Sequence, residues 1–149
     1  MCHLGWAVLT PYALLRVSPP PQSWAIDLFY DLIARFAGDP QYGDLPVEFY
    51  DVIRGAQQEA KHFCLLANRL EEMGSRYGAL PAHDGLWETA EMTAHNLPAR
   101  LAVEHCVHEA RGVDVLPTTA AKFQASGDSD TYRLLMEVSL GMRGAMHGS

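Results

Sequence analysis

From Pro46 onward the apolar residues Phe49, Val52, Ile53, Ala56, Ala60, Phe63, Leu66, Leu70 and Met73 recur at intervals of three and four. Such a run marks one face of a long helix, and Pro46 stands where a first-turn proline belongs. The spacing predicts a helix over 46–77, ended by Gly78, with a loop from Pro81 to Gly85. A single amphipathic helix of this length cannot bury its own stripe, so the rest of the chain must supply helices or a sheet to cover it.

The remaining pattern supplies helices. Three consecutive prolines, Pro19 to Pro21, cannot lie inside one, so residues 1–22 are read as an irregular N-terminal segment. Behind them Trp24, Ile26, Leu28, Phe29, Leu32, Ile33 and Phe36 trace a first helix over 24–36, closed by Gly38 and Pro40. A third helix is expected over 86–111, kinked or broken at Pro98 and stopped by Gly112. A short helical piece over 118–125 and a last helix over 131–140, introduced by Gly127 and Asp128, complete the chain. No segment alternates with a period of two, which excludes a sheet. The fold class is all-α, a single domain over 1–149 built as an antiparallel helix bundle.

Charge and cysteine usage narrow the function classes. Eighteen acidic residues against eleven basic ones, the latter scattered, leave no patch to track phosphates, so no nucleic acid is expected as partner. The first residues lack a basic start followed by an apolar stretch, and no run reaches membrane-spanning length; the expected location is the cytoplasm. Cys2, Cys64 and Cys106 are widely spaced and form no Cys-x-x-Cys, which fits reduced thiols and neither a disulfide framework nor a thiolate zinc site.

Glu59 and His62 form a Glu-x-x-His pair in the long helix. Residues three apart share a face, so a carboxylate and an imidazole can converge on one ion; a solvated surface pair has the same spacing. Glu109 stands near the end of the third helical pattern. A two-metal bundle takes one Glu from each of two helices and a Glu-x-x-His from each of the other two, and the chain supplies half of that set. The other candidates read more plainly. Glu88 and Glu91 make an acidic solvated face, His83 with Asp84 caps the third helix, and Arg111 serves either as a helix C-terminal cation or as a partner for Glu109. Cys106 between His105 and His108 has no visible orienting group for a nucleophile.

Three ordered blocks, Glu59 to Leu66 (EAKHFCLL), Tyr77 to Trp87 (YGALPAHDGLW) and Glu109 to Val115 (EARGVDV), together with Ala25 to Leu28, resemble the DUF455 group of ferritin-like proteins over residues 24–138. The resemblance implies a ferritin-like antiparallel four-helix bundle with a carboxylate-bridged iron or manganese site. In it Glu59 and His62 stand at the second-helix ligand motif and Glu109 at the third-helix glutamate. Relatives in the wider superfamily include oxygen-activating hydroxylases, ferroxidases and rubrerythrin-like peroxidases. The implied function is therefore an iron- or manganese-dependent oxidoreductase acting on a small molecule or dioxygen.

Two ligand helices depart from that pattern. Pro20 to Ser23 stand where a glutamate is expected, and Met142 to His147 where an Asp-Glu-x-x-His is expected. The codons for Gly141 to Met146, read one nucleotide earlier, permit Asp-Glu-x-Gly-His, so the residues after about Gly141 are read as frame-shifted, and 141–149 as a poorly ordered tail. With an incomplete set the expectations divide: a site completed across a homodimer, or a metal-free structural or interaction bundle.

Overall fold

The computed structural model describes residues 21–79 and 85–147, and every regular element among them is helical. Helix α1 (Pro21–Phe36) starts on the last proline of the run, where a missing backbone N–H leaves nothing unsatisfied. Pro46 opens one turn of 3₁₀ helix (Val47–Asp51), and α2 (Val52–Glu72) continues directly from it. Its end falls at Gly74, four residues before the glycine that the sequence suggested. Gly74 has φ +75°, its N–H bonds the Glu71 carbonyl at 2.9 Å, and the Ser75 N–H bonds the Leu70 carbonyl at 2.8 Å. That pair of bonds closes a helix on a left-handed residue, and Gly74 reaches the conformation first.

The third helical pattern is really two helices. Short α3 (Gly85–Met92) is followed by a turn and by α4 (Leu97–Leu101), whose N-cap Asn96 accepts from the Ala99 N–H at 2.9 Å. Pro98 thus sits in the first turn of a new helix instead of kinking an old one. From α4 the chain passes into a π-helical segment (Ala102–His108) and then into α5 (Glu109–Ala125) without leaving helical geometry. Gly112 does not stop this helix, and Pro117 lies inside it. A left-handed Gly127, φ +86°, ends α5. The carboxylate of Asp128 caps α6 (Ser129–His147) by accepting from the Thr131 N–H at 2.9 Å, and Arg69 of α2 pairs with the same carboxylate at 2.8 Å. Helix α6 continues past Leu140 to His147, through the first part of the stretch read from the sequence as a poorly ordered tail, and Met142 is buried in it. The expectations for residues 1–20 and for His83 and Asp84 lie outside the described residues.

The packing runs α1 on α2, α2 on α6, α6 on α5 and α4 on α1, with α3 laid against α1 and the π-helical segment. Helix α2 is not among the close neighbours of α3, α4 or the π-helical segment, although the second and third helical patterns, 46–77 and 86–111, are expected from the sequence to pack as antiparallel neighbours. Two apolar clusters hold the helices together. One gathers Leu66, Leu70, Ala120, Phe123 and Leu135, and the other Leu32, Phe36, Phe49 and Leu97. Each fully buried Leu or Phe contributes roughly 1.5–3 kcal/mol relative to exposure. Along α2 the clusters lie at opposite ends, and the buried positions between them are Ala56, Glu59 and His62.

Candidate metal centre

Glu59 and His62 occupy the buried stripe of α2 in positions where its neighbours are alanine and leucine. Glu59 is 6% exposed and His62 7%, so the solvated surface pair is excluded. Their closest atoms, Glu59 Oε1 and His62 Nδ1, are 3.4 Å apart, yet Nδ1 makes no hydrogen bond and is shielded from solvent. Burying a carboxylate is costly without a compensating charge or hydrogen bond, and an imidazole nitrogen left without a partner adds to that cost. Two donors about 2.1 Å from one ion lie about 3.0 Å apart at a right angle and about 3.4 Å apart at a tetrahedral angle, so the observed spacing is within the range of two ligands on one ion. The pair therefore has the bite of two ligands and lacks the alignment of a hydrogen bond.

Helix α6 closes the far side of this layer. Gly141 lies against the Nε2 edge of His62, where an added Cβ would come within 2.8 Å of that nitrogen. The neighbouring Met142 reaches α5, its Cε against Gly112. Glu109 opens α5 one turn before Gly112; its side chain lies outside the described groups, as does that of His105. Among the described residues no group of three or more His, Cys, Asp or Glu is arranged to hold a metal ion.

A second polar cluster, which the sequence did not reveal, sits on the π-helical segment. Thr89 of α3 brings its hydroxyl 3.3 Å from Glu104 Oε1 and 3.1 Å from His108 Nε2, and also donates within α3 to the Leu86 carbonyl at 2.9 Å. Burial pushes the Glu104 carboxyl above its ordinary value, against the pull of the Arg100 charge and the Thr89 hydroxyl. Burial also holds the His108 imidazole below its usual range, helped by the charge of Arg111. Both shifts favour the neutral forms, and the hydrogen bonds through Thr89 tie α3 to the π-helical segment. Glu88 and Glu91 are exposed, and Cys64 and Cys106 are free exposed thiols, in keeping with their plain readings; Arg111 is exposed too, but it stands in the first turn of α5 and so is not a helix C-terminal cation. No helix among the described residues is long and apolar enough to cross a membrane.

The family model described as a protein of unknown function, DUF455, matches residues 21–140, the span that carries every helix up to Leu140. This chain belongs to the DUF455 family. An uncharacterised protein of Haemophilus influenzae is 36% identical over 113 residues, covering 74% of this chain and 39% of the relative, so the chain spans about two fifths of that protein's length. No solved structure matches the chain. In this DUF455 chain the Glu-x-x-His pair is a buried feature of the helix packing and not surface decoration.

Proposed function

We propose that this protein is a ferritin-like metal protein, an iron- or manganese-dependent oxidoreductase whose ligands in each chain are Glu59, His62 and Glu109. The observation that carries the reading is the buried Glu59–His62 pair, separated by 3.4 Å with an unpartnered Nδ1. The order of packing supports the ferritin-like part. Taking α4, the π-helical segment and α5 as one rod, the four rods touch in a closed ring with a long crossover between the second and third.

The donor set fits the metal. Carboxylate oxygen with imidazole nitrogen suits iron and manganese, and the layer between two apolar clusters keeps bulk water from competing for the donors. Three ligands hold one ion, and the pair lies buried within one chain beneath α6, so the ion is held chain by chain. A bound metal would supply dioxygen activation at positions that the protein leaves open. The chain's own part is to hold the Glu59 carboxylate and the His62 imidazole one turn apart and dry, with α6 packed over the ring.

A metal-free structural bundle is the second reading, favoured by the lack of a three-residue ligand group among the described residues. Iron and manganese content per chain, measured with mass in solution for the wild type and Glu59→Ala, separates the two. The metal reading expects about one ion per chain, lost in the variant. No metal above the Glu59→Ala control hands the case to the structural bundle.

A further inference from the structure

Gly141 lies within α6, where alanine would be the better helix former by intrinsic preference. A methyl group on it would stand 2.8 Å from His62 Nε2 and 3.4 Å from Cε1, closer than the ring tolerates unless it moves. The imidazole is thus held between the backbone of α6 on its Nε2 edge and the Glu59 carboxylate, 3.4 Å from Nδ1, on the other. We propose that Gly141 is a positioning residue for His62: its missing side chain lets α6 close on the Nε2 edge and leaves Nδ1 as the nitrogen presented to a cation shared with Glu59. The cation rests on the metal reading above; the contact between Gly141 and the ring does not.

The geometry makes the sign of one substitution depend on another. In an otherwise empty setting, Gly→Ala inside a helix stabilises. Here Gly141→Ala meets the ring, so it lowers the thermal midpoint of the metal-free full-length chain, whereas in a His62→Ala background, with the ring gone, it raises it. A shift of the same sign in both backgrounds overturns the proposal. Should Gly141→Ala alone fail to fold, the double variant still folds if the ring is the obstacle, and failure of both counts against it.

Zinc serves as a diamagnetic probe for the second half. With histidine labelled by ¹⁵N, zinc should shift the Nδ1 resonance of His62 in the wild type, and Gly141→Ala should bind zinc about tenfold more weakly. A shift at Nε2, or unchanged affinity in the folded variant, overturns the positioning role. Zinc binding by the wild type no stronger than by Glu59→Ala overturns the metal reading instead, and the thermal cycle then decides alone whether Gly141 sets the ring.

Discussion

Arg100 and Asp31 lie 69 residues apart in sequence and meet at 2.8 Å, Nη1 to Oδ2, with the arginine fully buried. The same guanidinium donates to Thr93 Oγ1 at 2.9 Å and to the Ala90 carbonyl, while Arg35 holds both oxygens of Asp31 at 2.8 Å. One side chain thereby joins α1, α3 and α4. A buried cation survives only where its donors are satisfied, and the planar fork of arginine reaches three acceptors at once.

Replacing Arg100 by leucine should cost about 3 kcal/mol, since it removes the buried cation facing Asp31 and leaves the Ala90 carbonyl with only the longer bonds from Thr93 at 3.3 Å and Asp31 with Arg35 alone. Arg100→Lys should recover little of the loss, because an ammonium cannot span the same acceptors. Urea unfolding monitored by helical circular dichroism measures both. A lysine variant as stable as the wild type would remove the fork from the explanation.

Asp31 also sets an acid limit. Burial alone would raise its carboxyl, but hydrogen bonds from Arg35 and Arg100, with their charges, hold it below the usual 3.8. A lowered folded value means stability that is complete above the ordinary aspartate range and is lost as pH falls through the folded value. Asp31→Asn should therefore be less stable than the wild type at neutral pH, and the difference should shrink below about pH 3.8. Equal unfolding midpoints at neutral pH would contradict this.

Glu104 works in the opposite sense. Its carboxyl is raised above 4.5, so the folded chain binds a proton that the unfolded chain has already released. That mismatch costs nothing below the ordinary value and grows as pH rises through the raised one. Glu104→Gln, which can keep the bond to Thr89, should be more stable than the wild type at about pH 7.5 and no different near pH 4. Parallel urea titrations at the two pH values provide the check.

Glu59→Met with His62→Leu should stabilise the metal-free chain by about 1–4 kcal/mol, because apolar side chains of similar volume suit the space between the two clusters better than an uncompensated polar pair. The same double variant should retain no iron or manganese. A fall in stability under chelating conditions would mean that the pair earns its place as structure.

How far the sequence reveals this molecule follows from the range of each interaction. The helices announce themselves because apolar spacing is local, and Gly127 with Asp128 marks a helix end and a helix start within two residues. Glu59 and His62 were legible because their relation spans one turn. The fourth helix began at Asn96 with Pro98 in its first turn, a start signal present in the sequence but masked by the apolar residues on either side. Other features depend on distant partners. Nothing in the sequence places Thr89 between Glu104 and His108, or sets Arg100 on Asp31, and no pattern of side chains distinguishes a π-helical segment from the α-helix around it. Continuation through Gly112 and Pro117 was likewise invisible, because packing against α6 overrides their weak preference for helix.

The π-helical segment makes chain length in this stretch a matter of phase. Its turns take up more residues than α-turns, so the face on which Arg100 is buried and the face on which Phe123 is buried are related by the number of residues in 102–108. Losing one of them would rotate everything downstream by about 100°. Unless the wide turn tightens to an α-turn and absorbs the loss, a single-codon deletion here would carry the buried face of α5 round by more than a quarter-turn. Variation in length among related chains should accordingly be rare in this stretch.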